Sequence, residues 1–239
     1  MSKEVVYVGK DLEAMSFAVN YHRWILDEFR PFLGKRAVEV GAGTGLFSEL
    51  LLEENLDTLS LVEPSEMFEH LRKNISPIET RTEVNFHQSI FAGVHRQIAV
   101  DYKPDSIIYV NVLEHIEDDV AELSMIHQTL PENGRCFIFV PALQALYGEF
   151  DRRIGHFRRY SKKEIDEKCE SAGFRILKLK YFDFAGVFPW YVKYKILKSD
   201  SLESGAVALY DKIAVPLVSR FEKYFSMPVG KNILLVAEK

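Results

Sequence analysis

Short apolar runs alternate along the chain with stretches in which apolar positions recur every three or four residues, the pattern of strands alternating with amphipathic helices. Phe17, Tyr21, Trp24, Ile25 and Phe29 fall on one face of a helix from Phe17 to Phe29, and Pro31 ends it. Arg36 to Val40 reads as a first strand, Leu46 to Glu54 as a helix and Thr58 to Val62 as a second strand. Ser65 caps a helix through Asn74, Glu83 to His87 forms a third strand, and Asp105 to Val110 a fourth. Asp118 to Leu130 is helical and Arg135 to Val140 a fifth strand. Ser161, with Glu164 three residues on, is a capping box for a helix that stops at Gly173. Phe174 to Tyr181 and Asn232 to Ala237 supply two last strands. The segment between them, Phe182 to Lys231, is too long for a hairpin and reads as an insertion with helices of its own.

This alternation predicts an α/β domain, a mostly parallel sheet covered by helices on both faces. The chain of 239 residues, 47% apolar and 27% charged, excludes disorder and collagen, and it buries enough surface to need neither disulfides nor a structural metal. Cys136 lies in an apolar strand and Cys169 on a predicted helix, which points to reduced structural thiols in a cytosolic protein. No signal peptide is read in the first residues. The longest apolar run, Phe184 to Val192, falls well short of the ~18 residues of a membrane span, so a soluble or surface-associated protein is expected. A net charge of −5 argues against nucleic acid as a partner, although residues 141–200 carry 13 Lys and Arg against 8 Asp and Glu.

The chemistry begins at Val38-Glu39-Val40-Gly41-Ala42-Gly43-Thr44-Gly45, a glycine turn between the first strand and the next helix, where backbone can approach a ligand closely. A dinucleotide fingerprint spaces its glycines G-x-G-x-x-G; here they fall G-x-G-x-G, with Leu46 in the third place. That spacing disfavours a nicotinamide-dependent oxidoreductase. Glu63, at the end of the second strand, is placed to accept hydrogen bonds from both hydroxyls of a ribose.

With these residues the sequence resembles the class I S-adenosylmethionine-dependent methyltransferases. The likeness extends through Val62-Glu63-Pro64, through Asn111-Val112-Leu113-Glu114-His115-Ile116-Glu117-Asp118-Asp119 after the fourth strand, and through Leu130-Pro131-Glu132-Asn133-Gly134 before the fifth. The resemblance implies one Rossmann-like methyltransferase domain with a seven-stranded, mostly parallel, doubly wound sheet. It further implies an N-terminal helical lid over residues 1–34, an acceptor loop at 141–161 and a cap insertion at 182–231. The cofactor it implies is S-adenosylmethionine: Gly41, Gly43 and Gly45 beside the methionine part, Glu39 near its amino group, Glu63 on the ribose, and Ser89 and Ile90 along the adenine. Asn111 joins this set, and Tyr21 and Trp24 match rings that fold a leading helix over the cofactor, unless they simply pack in the core.

Methyl transfer from a sulfonium is an in-line displacement that positioning and exclusion of water can carry, with no covalent intermediate. Asn111 lacks the Pro-Pro-aromatic continuation of adenine-N6 methyltransferases, so a nucleobase acceptor is disfavoured. The stretch from Leu146 to Ser161, with Gly155-His156-Phe157-Arg158-Arg159-Tyr160-Ser161, resembles a branch associated with surface polysaccharide and glycolipid biosynthesis. It implies a small-molecule, glycan-type or lipid-linked acceptor. His156 is read as a general base or as a loop-fixing histidine, with His115 as the rival base or a helix cap. Tyr160 positions the acceptor or packs as an aromatic lid. Tyr147, Arg152, Arg158 and Arg159 grip an anionic acceptor, or the arginines pair with Glu149 and Asp151 and close the loop. Aromatics and lysines over residues 184–198 suit a peripheral membrane contact or a packed cap. No metal is assigned. The alternative outside catalysis is a cofactor-binding scaffold or sensor.

Overall fold

The computed structural model describes residues 18–197 and 204–239. Seven strands form one sheet in the order β3-β2-β1-β4-β5-β7-β6. They are β1 (Arg36–Val40), β2 (Thr58–Val62), β3 (Glu83–His87), β4 (Ser106–Val110), β5 (Arg135–Pro141), β6 (Arg175–Phe182) and β7 (Asn232–Glu238). β7 runs antiparallel between β5 and β6, and the pairs among β1 to β5 are parallel. This is a seven-stranded, mostly parallel sheet of the kind the sequence predicts. Chain order reverses between β1 and β4, and open α/β sheets bind ligands where that reversal opens a crevice at the strand C-termini.

β5 shows why its sequence is apolar without alternation. Phe137 and Phe139 face one layer with Tyr21, Trp24, Ile25 and Phe29, whereas Cys136, Ile138 and Val140 face the other with Leu123 and Ile126. Both faces are buried, so both parities are apolar. The helices follow as α1 (Val19–Phe29), α2 (Leu46–Leu52), α3 (Met67–Ile75), α4 (Phe91–Asp101), α5 (Asp119–Thr129), α6 (Glu149–Arg153) and α7 (Lys162–Ser171). The Ser161 hydroxyl accepts from Glu164 N at 3.1 Å and Gly173 sits at φ +97°, but the Glu164 carboxylate pairs with Lys168 Nζ at 3.1 Å, so Ser161 caps the helix by the serine half of the expected box. Neither α4 nor α6 was among the predicted elements. Phe17 lies outside the described residues. Cys136 and Cys169 are both buried and unbridged.

In the insertion, α8 (Val187–Trp190) runs on into a π-helical stretch, Tyr191–Ile196, and a second one, Tyr210–Ala214, links α9 (Ser204–Leu209) to α10 (Val215–Glu222). It docks on α1: the Asp211 carboxylate accepts the backbone N–H groups of Asn20 (3.0 Å) and Tyr21 (2.8 Å), which α1 leaves unpaired at its N-terminus. Phe188, Tyr191 and Ile196 are exposed. Lys198, the end of the segment read as a membrane contact, lies outside the described residues. Among the described residues no helix is long and apolar enough to cross a membrane.

Candidate active site

A cavity of about 400 Å³ opens at the sheet's reversal point, lined by Gly41, Gly43, Glu63, Ser89, Ile90 and Asn111, with His115 and Phe157 among its other walls. Gly41 sits at φ +73°, and a Cβ there would come within 2.4 Å of Val112 Cγ2, so both backbone and space demand glycine. Asn111 also has positive φ, 55°, which asparagine tolerates better than most side chains. The Glu63 carboxylate accepts from Gly43 N (2.8 Å), Ser65 N (2.9 Å) and Ser65 Oγ (2.5 Å), which fixes its orientation at the cavity wall. A carboxylate has about four acceptor positions, so room remains for a ligand hydroxyl. The helix cap position is Glu66, not Ser65 as the sequence predicts; the Ser65 hydroxyl instead holds Glu63 and accepts from Met67 N at 3.2 Å.

Glu39 lies beneath the turn instead of on the cavity wall. It is buried and accepts a 2.5 Å hydrogen bond from the Ser48 hydroxyl. Burial pushes its carboxyl up to about 8; the Ser48 bond opposes that rise and the Glu63 charge adds to it. Tyr21 and Trp24 do not line the cavity. Trp24 stacks on Phe182 at 3.8 Å, and the Tyr21 hydroxyl donates to Asn232 Oδ1 at 3.1 Å, so these rings belong to the core under α1. The reading of them as a lid is corrected to the packing alternative.

The loop after β5 is organised by two buried carboxylates. Asp151 accepts from Gly148 N (2.9 Å) and Arg159 Nε (2.8 Å) and faces His156 Nδ1 at 3.1 Å. Burial pushes Asp151 up, but the His156 bond and the Arg159 guanidinium outweigh it and hold the carboxyl below its ordinary range. Asp119 accepts from the Tyr160 hydroxyl (2.7 Å) and Lys168 Nζ (2.6 Å), with an Arg158 guanidinium nitrogen at 2.6 Å.

These contacts correct the acceptor assignments. Arg159 is 2% exposed, tied to Asp151, with its guanidinium 4.8 Å over the Trp190 ring, and Tyr160 is fully buried. Arg158 spans Asp119 and the Glu117 carbonyl, exposed Arg152 pairs with Glu149, and the Tyr147 hydroxyl donates to His156 O at 2.8 Å. None of the five lines the cavity; they build the loop, because each polar head already has an internal partner. The loop contributes Phe157 to the wall instead.

His115, not His156, is the histidine on the wall. The two rings meet edge to face at 4.6 Å, and His156 Nε2 stands 3.7 Å from Glu114 Oε1. Burial, followed by the neighbouring His156, lowers His115 to about 3, against a bond to the Gly155 backbone. Burial raises Glu114 to about 7 although His156 and Arg159 pull it down.

The sequence matches the family described as a methyltransferase domain over residues 18–179. The chain belongs to that family. Solved structures share the methyltransferase's fold at low identity. A SAM-dependent methyltransferase from Archaeoglobus fulgidus is 15% identical with a TM-score of 0.61, covering 95% of this chain and 98% of its own. The Burkholderia thailandensis 1,6-didemethyltoxoflavin-N1-methyltransferase, bound to 1,6-didemethyltoxoflavin and S-adenosylhomocysteine, is 16% identical with a TM-score of 0.60, over 97% and 82%. The mycolic acid cyclopropane synthase CmaA1, complexed with SAH and CTAB, is 16% identical with a TM-score of 0.58, over 90% and 82%. No curated protein sequence matches the chain.

In the methyltransferase, sequence reasoning missed Ser65 as the brace of Glu63 and Phe157 as a wall residue. The signal for Phe157 was an aromatic between His156 and Arg158, two residues that need internal partners.

Proposed function

We propose that this methyltransferase, whose methyl donor is S-adenosylmethionine, acts on a hydroxyl or other nucleophile of a small-molecule, glycan-type or lipid-linked acceptor that is uncharged where it meets the donor. The observation that carries the reading is the cavity wall: Val112, Ile116 and Phe157 are apolar, no lysine or arginine lines it among the described residues, and the braced Glu63 carboxylate is left for the donor's ribose in this reading. An anionic acceptor would find its arginines already satisfied. Exposed Phe188, Tyr191 and Ile196 on the insertion support an acceptor with a lipid tail. In this reading Gly41 and Gly43 cradle the methionine part and Ser89 and Ile90 border the adenine. His115, with a conjugate acid near 3, is neutral at pH 7 and too weak a base to remove a hydroxyl proton by itself.

Labelled methyl donor offered to matched neutral and phosphorylated acceptors tests this. Label is expected on neutral hydroxyl compounds, and transfer confined to phosphorylated or carboxylated acceptors would overturn the uncharged reading. A non-catalytic scaffold would bind donor and transfer to none.

Glu39 supplies the counter-charge to the donor's ammonium in this scheme. With its carboxyl at about 8 it is mostly protonated in the free protein at pH 7, and a bound cation lowers it. Donor binding should then release protons near pH 7 and release few well above pH 8, read as a calorimetric enthalpy that changes with buffer ionisation enthalpy. Glu39→Gln should remove the buffer dependence. Because the folded carboxyl lies above its ordinary value of 4.5, wild type should lose stability relative to Glu39→Gln as pH rises from 4.5 towards 8.

A further inference from the structure

Where His115 meets the cavity wall, three ligand atoms converge: a carboxylate oxygen of Glu114 and one ring nitrogen each of His115 and His156, all within 4.8 Å of one another. Glu114 is fully buried and neither of its side-chain oxygens has a hydrogen-bond partner. A buried carboxyl left in that state is costly unless a cation or donor answers it. His156 Nε2 stands 3.7 Å from Glu114 Oε1, too far for a hydrogen bond.

Both imidazoles are held from behind. His156 Nδ1 meets Asp151 Oδ1 at 3.1 Å, and Asp151 is itself fixed by Arg159 and Gly148 N. His115 bonds the backbone of Gly155. A neutral imidazole whose one nitrogen donates to a carboxylate or carbonyl presents a lone pair on the other, which is how metal-ligating histidines are oriented.

We propose that Glu114, His115 and His156 bind one divalent transition-metal ion at the edge of the methyl-transfer cavity. Two imidazoles and one carboxylate favour zinc, iron, cobalt or nickel over magnesium or calcium, which take oxygen ligands. Bonds of about 2.0–2.1 Å in tetrahedral geometry set ligand atoms about 3.3 Å apart, so side-chain movements on the order of 1 Å close the site. Three protein ligands leave a coordination position open.

With His115 on the cavity wall, that position is available to an acceptor hydroxyl, whose pKa the ion lowers. The hydroxyl proton leaves to solvent, the oxygen attacks the methyl carbon, and the carbon–sulfur bond breaks with its electron pair kept by sulfur. The binding site itself stands on these side chains and does not rest on the methyl-transfer reading.

The test uses the full chain stripped with a chelator, dialysed, and titrated with cobalt(II) chloride. A visible absorption band that saturates at one ion per chain and is displaced by zinc is expected. Glu114→Gln and His156→Gln should each weaken cobalt binding at least about 100-fold, while S-adenosylhomocysteine binding to the same samples reports folding. No saturable cobalt spectrum in the wild type, or undiminished affinity in folded variants, overturns the site. Should the variants fail to fold, X-ray absorption of the zinc-loaded wild type decides: two imidazoles with oxygen support the site, and any other nitrogen count overturns it. Wild type that binds cobalt but not S-adenosylhomocysteine would instead count against the methyl-donor site and leave the metal site standing.

Discussion

Arg159→Ala should destabilise the protein by about 3–5 kcal/mol, the usual cost of breaking one side of a buried ion pair. Its guanidinium is buried, donates to Asp151 Oδ1 at 2.8 Å and to the Ala142 carbonyl at 3.3 Å, and lies over Trp190. Removal leaves the Asp151 carboxylate buried, with only Gly148 N and His156 of its present partners to answer its charge. For a chain of this length the loss corresponds to a melting temperature lower by roughly 10 °C. Arg159→Lys should recover part of it, because a single ammonium cannot reproduce the fork that reaches both Asp151 and Ala142. Arg152→Ala provides the contrast: its pair with Glu149 is exposed on both sides and should change the melt little. Equal effects of the two alanine variants would contradict this account of the loop.

Glu63→Ala should weaken S-adenosylhomocysteine binding by about 1.5–3 kcal/mol, roughly 10- to 150-fold in Kd. The carboxylate lines the cavity and is pre-oriented by Gly43 N and by both donors of Ser65, so little entropy is lost when a ribose hydroxyl adds to it. Ser65→Ala tests that bracing: Glu63 keeps its charge but loses a 2.5 Å hydrogen bond, and affinity should fall by less than in Glu63→Ala. Calorimetry measures both. Unchanged affinity in Glu63→Ala would place the ribose elsewhere in the cavity.

The strands were legible because each is a local pattern. β1, β2 and β3 begin and end where periodicity and turn residues put them, and the two-sided burial of β5 shows as an unbroken apolar run. α4 escaped notice because it buries only Phe91 and Ile98, two anchors set too far apart to show a helical stripe. α6 has five residues, too few for any period to emerge.

The candidate site divides along the same line. Gly41, Gly43, Glu63, Ser89, Ile90, Asn111 and His115 line the cavity, since a turn at a strand end and a carboxylate one strand over are placed by chain order and by the parallel register of β1 with β2 and β4. The sequence by itself determined the sheet, its glycine turn and the acidic residue beside it, because backbone conformation and strand periodicity are set by residues close together in the chain. Only the tertiary structure decided which polar heads remain available to a ligand. Arg158 and Arg159 are spent on Asp119 and Asp151, Tyr160 on Asp119, and the Tyr21 hydroxyl on Asn232, 211 residues away. A buried charge or hydroxyl must find its partner inside, and that partner is chosen by packing across the fold, which no local pattern of residues records.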